Sequence, residues 1–189
     1  MNKLTLPNII SLLQKPNGAS SVSWNSGSLR ESSIASCPQV ALDLRLRPEV
    51  PDLEGDLLAA LDRDEIEVFF QPQYRVADDR LIGAEALVRW HHPELGQMDP
   101  ATFIHIAEES GTIGRLGEFV LEQALVETRR WLQHDIVGDD FAVHVNVSMV
   151  QLASPSFVNQ VLSMLRLHEL TPERLVIEAR ETALLGRNP

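Results

Sequence analysis

Three polar side chains are expected near the C-terminal ends of successive stretches of strand-forming sequence. They are Glu85 in the run Gly83–Trp90, Asn146 in Phe141–Val147 and Glu178 in Leu175–Arg180. Two carboxylates and a carboxamide oxygen make a hard oxygen set, suited to Mg²⁺ or Mn²⁺ rather than to zinc. Arg89 lies four residues beyond Glu85, so within a strand the two share a face. A guanidinium beside such a set is a bidentate clamp for a phosphate. One polar residue at a strand end ordinarily bonds a neighbouring loop and does no chemistry. Three on successive strands, with an arginine alongside, point instead to metal-assisted chemistry on a phosphate group. The pair His91-His92 is a weaker signal, because adjacent residues face different ways and metal-binding pairs fall at i, i+2 or i, i+4. It reads as a solvated loop.

The elements that must position these groups follow from local patterns. Leu53, Leu57, Leu58 and Leu61 recur at helical spacing behind Asp52, a plausible N-cap. Glu67–Gln71 is dense in β-formers and is expected to stop at Pro72. After the polar turn Ala77–Arg80, a second strand runs from Leu81 to about Trp90; so short a connection makes the two antiparallel. Helical stretches over Pro100–Glu109, Leu116–His134 and Ser156–His168 then alternate with strands over Phe141–Ser148 and Leu175–Arg180. This alternation indicates a parallel α/β construction whose strands should be apolar on both faces, with Trp131 packed in the core. Four strands with helices on one side leave an open, apolar edge after Leu175–Arg180, so the chain reads as the first half of something larger, prone to self-association.

Composition narrows the function further. Of 189 residues, 16 are basic and 27 acidic, a net charge of −11 that disfavours binding to nucleic acid polymers. Cys37 is the one cysteine, which excludes an internal disulfide framework and suits a reducing cytoplasm. No apolar run approaches the roughly 20 residues of a membrane span. Residues 1–44 hold three basic and two acidic side chains, whereas 45–189 hold 13 and 25. The same boundary ends a stretch, Pro16 to Pro38, crowded with serine, asparagine and glycine and lacking an apolar period. Residues 1–44 are therefore expected to be a flexible, serine-rich segment preceding a folded unit over 45–189.

At this point the sequence resembles a known family. Glu85-Ala86-Leu87, followed by Val88-Arg89-Trp90, reads as the signature of the EAL domain, the bacterial cyclic di-GMP phosphodiesterase. The match continues in order. Phe69–Pro72 resembles the family's YQP strand, and Pro100–Ile104 with Ala107–Gly111 its P-x-x-FI…AEE-x-G segment. Asn146–Ser148 with Gln151-Leu152 resembles the N-x-S-x-x-QL segment, and Leu175–Glu181 the LEITE strand.

The resemblance implies an α/β fold, the first half of a TIM-type (β/α) barrel with one antiparallel strand, cut before barrel closure. It implies Glu85, Asn146 and Glu178 as ligands of Mg²⁺ or Mn²⁺, with Glu85 and Glu178 catalytic through the metal. Arg89 matches the arginine on substrate phosphate, Gln71 a glutamine near the bound nucleotide, and Glu181 a glutamate holding a loop. The implied reaction is hydrolysis of cyclic di-GMP to the linear dinucleotide pGpG. The family pattern continues with paired aspartates, a lysine, a glutamate and a glutamine on later strands, none of which falls within these 189 residues. The chain as given is therefore expected to be inactive alone, which leaves its standing as an enzyme open. The alternative is a non-catalytic module of second-messenger signalling that binds cyclic di-GMP or a protein, with a homodimer through the open barrel edge also possible. Arg180, where the family usually has threonine, and Phe69, in place of tyrosine, are lesser departures.

Overall fold

The computed structural model describes residues 2–5 and 52–180. Helix α1 (Leu53–Asp62) starts where Asp52 accepts a hydrogen bond from the Gly55 amide, and it buries Leu57 and Ala60. Strand β2 (Ile66–Arg75) turns at Val76–Asp79 into β3 (Arg80–His92), its antiparallel partner throughout. The expected stop at Pro72 does not occur. Among the described residues β2 lies at the sheet edge and pairs with β3 alone, and an edge strand tolerates a residue without an amide donor. Strand β3 continues into a short hairpin strand, β4 (Gly96–Met98).

Helix α2 (Pro100–Ser110) opens with Pro100 in its first turn and Asp99 capping the Thr102 amide. It ends at Gly111, whose φ of +78° is the left-handed conformation that glycine adopts without a Cβ penalty. Helix α3 (Ile113–Gln133) buries Ile113, Leu116, Val120, Leu121, Ala124, Leu125 and Thr128, one stripe at spacings of three and four. Strand β5 (Ala142–Ser148), the single-turn helix α4 (Met149–Leu152), helix α5 (Phe157–Leu167) and strand β6 (Leu175–Arg180) complete the run.

With β1 formed by Asn2–Thr5, the sheet order is β1-β6-β5-β3-β2, and β3, β5 and β6 are mutually parallel. Among the described residues the sheet is open rather than closed on itself. Its outer strand on the β6 side is β1 (Asn2–Thr5), antiparallel, with Lys3 in register with Glu178 and Leu4 with Ile177. That edge, expected to be bare, is thus covered from within the chain along Val176–Ala179, which removes the ground for a homodimer formed through it. Residues 2–5 form this strand, and the rest of 1–44 lies outside the described residues.

Strand pleating sorts the side chains into two faces. Ala84, Ala86, Trp90, Val143, Val145, Val147, Leu175 and Ile177 are buried toward the helices. The opposite face carries Glu85, Leu87 and Arg89 of β3, His144 and Asn146 of β5, and Glu178 of β6. The strands are therefore apolar throughout on one face, whereas the other mixes polar side chains with apolar ones such as Leu87. Trp131 packs edge-on between Phe70 and Phe141, with centroids at 4.9 and 5.6 Å, as a core residue. Among the described residues no helix is long and apolar enough to cross a membrane.

Candidate functional site

Strand β5 lies between β3 and β6 and holds a carboxylate on each. Asn146 Nδ2 donates to Glu85 Oε1 at 2.7 Å, reaching across to β3. His144 Nδ1 stands 2.8 Å from Glu178 Oε1, reaching across to β6. An ionised carboxylate can only accept, so the imidazole donates there. The backbone register explains both pairings. Glu85 is level with His144, and Asn146 with Glu178, so each β5 side chain reaches one step along the neighbouring strand. Glu178 is only 3% exposed and His144 9%, and a carboxylate so enclosed requires hydrogen-bond donors to stay charged.

The imidazole sits over Gly83. A Cβ placed there would come within 3.3 Å of His144 Nε2 and 2.8 Å of the Ala142 carbonyl oxygen. The absent side chain at 83 is what allows β3 and β5 to pair this closely with a ring lying across the junction.

Of the residues expected from sequence, Glu85, Asn146 and Glu178 converge on one face of three adjacent parallel strands. Gln71 is exposed on β2 and is in register with Glu85. Arg89 shares the face with Glu85 but stands about 13 Å further along β3 at the rise of a strand. Its Nη1 donates to the Val88 carbonyl at 2.8 Å. Glu181 lies outside the described residues. Glu85 is not at a strand end: β3 runs past β5 as far as His92, which leaves Glu85 in mid-strand. His144 was not among the expected site residues. The signal for it was available, since it stands two residues before Asn146 and so on the same face of β5.

The two carboxylates and the carboxamide offer hard oxygen donors, the kind that Mg²⁺ and Mn²⁺ take. With Nδ2 committed to Glu85, Oδ1 is the Asn146 atom able to coordinate, and it joins two carboxylates. Among the described residues no group of three or more His, Cys, Asp or Glu side chains is placed to hold an ion.

His91 and His92 both lie in β3 rather than in a loop, and of the two His91 alone is exposed. His92 is 5% exposed, with Nδ1 accepting the Glu94 and Leu95 amides at 3.1 Å each and Nε2 lying 3.3 Å from Asp56. With Nδ1 as acceptor, the proton sits on Nε2, and the ring ties α1 to the β3–β4 turn. At the other end of the strands, Asp140 accepts from Arg75 and lies 3.3 Å from Arg80. Desolvation pushes its carboxyl up. The Arg75 hydrogen bond, its own backbone amide and the two guanidinium charges outweigh that and hold it below its ordinary value. This cluster fastens the start of β3 to the start of β5, away from the site.

Comparison with known proteins is consistent over most of the chain. The family model for the EAL domain matches residues 54–189. The uncharacterized protein Rv1357c of Mycobacterium tuberculosis is 42% identical over 136 residues, covering 72% of this chain and 44% of that protein. The bifunctional diguanylate cyclase/cyclic di-GMP phosphodiesterase MucR of Pseudomonas aeruginosa is 36% identical over 130 residues, covering 69% of this chain and 19% of MucR. The chain thus spans less than half the length of these relatives. Among solved structures, that of the PaMucR phosphodiesterase in complex with c-di-GMP superimposes with a TM-score of 0.62 at 36% identity, covering 71% of this chain and 54% of that one.

Proposed function

The chain belongs to the EAL domain family, and on that premise we propose that it supplies the metal- and phosphate-facing half of a site that hydrolyses cyclic di-GMP to pGpG. The observation that carries this reading is the convergence of Glu85, Asn146 and Glu178 on one polar face, with both carboxylates held by β5. Glu85, Asn146 and Glu178 would hold Mg²⁺ or Mn²⁺, which when bound neutralises phosphate charge and acidifies a water. The remaining work falls to the chain's own residues. Asn146 orients the Glu85 carboxylate through the 2.7 Å bond and presents its own oxygen beside it. Arg89 exchanges its bond to the Val88 carbonyl for a phosphate oxygen, so that the guanidinium pairs with an anion in place of a neutral acceptor. Gln71, on the exposed neighbouring strand, lies alongside the nucleotide. The reaction adds one water across a P–O bond, and the released ribose oxygen takes up a proton.

The test joins this chain to the C-terminal half of a relative's EAL domain. The joined protein should hydrolyse cyclic di-GMP with Mn²⁺, and Glu85→Ala should abolish it. A polypeptide of these 189 residues alone should be slower by about 10⁴-fold or more, since members of one site act together. A folded chimera without turnover, or one indifferent to Glu85→Ala, refutes the reading.

A further inference from the structure

We propose that His144 is a positioning residue that aims the Glu178 carboxylate at the cation; this rests on Glu178 being a metal ligand, as above. Four observations converge on the role. The imidazole is 2.8 Å from Glu178 Oε1 and both groups are buried. The bond ties one carboxylate oxygen to the ring and so restricts rotation of the group. The ring in turn lies over Gly83, where a Cβ would stand 3.3 Å from Nε2 and crowd it. Finally, the arrangement repeats the adjoining one: Asn146 does for Glu85 what His144 does for Glu178, so a single strand orients a carboxylate on each side.

A carboxylate has free rotation about its last bond, and a cation selects one rotamer. An imidazole donor with little freedom of its own removes that choice before the ion arrives. Loss of such an orienting partner typically costs 10–100-fold in metal affinity. His144→Leu keeps the bulk and removes the donor. His144→Asn places an amide nitrogen near the position of Nδ1 and restores one.

The experiment measures Mn²⁺ affinity of the full 189-residue chain by electron paramagnetic resonance for the original sequence, His144→Leu, His144→Asn and Glu178→Gln. Long-range ¹H–¹⁵N spectra of the His144 ring accompany it. The expected result is a 10–100-fold loss for His144→Leu, substantial recovery in His144→Asn, and a ring proton on Nδ1 that shifts on Glu178→Gln. His144→Leu binding Mn²⁺ as the original does, while Glu178→Gln binds it more weakly, overturns the positioning role and leaves the ligand assignment standing. Absence of Mn²⁺ binding by the original chain, or unaltered binding by Glu178→Gln, overturns the ligand assignment itself. If His144→Leu does not fold, the ring spectra decide: a ring protonated on Nε2, or one blind to Glu178→Gln, overturns the proposal.

Discussion

Replacing Gly83 with alanine tests whether the close approach of β3 and β5 limits what can occupy that position. Gly83 has no left-handed backbone to protect, so an alanine can adopt its conformation. On that ground alone the change would stabilise the protein by about 0.4–1 kcal/mol, because the unfolded chain loses freedom. Against this, the new methyl would stand 2.8 Å from the Ala142 carbonyl oxygen, 3.3 Å from His144 Nε2 and 3.4 Å from Gln73 Oε1. The first of these is backbone and cannot swing aside, so the two strands must part or slide. Overpacking of this kind costs roughly 1–3 kcal/mol, which outweighs the entropic gain. The net expectation is destabilisation centred on about 1.3 kcal/mol, the two ranges combining to roughly 0–2.6 kcal/mol. Urea unfolding followed by circular dichroism should show a lower midpoint with an unchanged slope, since a local clash does not alter the surface exposed on unfolding. Because the displaced atoms include the His144 ring, the same variant should weaken Mn²⁺ binding. A Gly83→Ala protein as stable as the original, or more so, would show that the strands accommodate a Cβ and would refute the packing argument.

Two further outcomes follow from the same structure. The Asp140 carboxyl is held below its ordinary value in the fold, so its contribution to stability is present above about pH 4, the unfolded range, and is lost as pH falls below it. Asp140→Asn should therefore lower the unfolding midpoint at pH 7 and leave it nearly unchanged at pH 3; an equal effect at both would contradict the pairing with Arg75 and Arg80. Removal of residues 2–5 bares the backbone edge of Val176–Ala179, and the shortened chain should self-associate more than the original in sedimentation velocity at matched concentration. Equal sedimentation would show that β1 does not guard that edge.

Local pattern carried a large part of this protein. The helices appear where apolar residues recur at three and four, with Asp52 and Asp99 capping and Gly111 ending them, because each of these forces acts within a turn or two of chain. Glu85, Asn146 and Glu178 were legible for a related reason: in a strand of period two, a polar residue among apolar ones marks its face without reference to any neighbour. Family membership was legible from the order of such segments. What sequence could not supply is whatever depends on which residue lies beside which across strands. That Glu85 sits in mid-strand level with His144, that His144 meets Glu178 rather than a loop, and that Pro72 is tolerated on an edge all follow from register and strand order. These are set by pairing between segments up to about sixty residues apart. His92 turned from an expected loop residue into a buried clamp on Asp56 because α1, far away in sequence, folds against the β3–β4 turn. The covering of β6 by residues 2–5 joins opposite ends of the chain, and no local propensity encodes it. Composition and periodicity act on neighbours in sequence, whereas the site is made by neighbours in space, and only the packed sheet decides who those are.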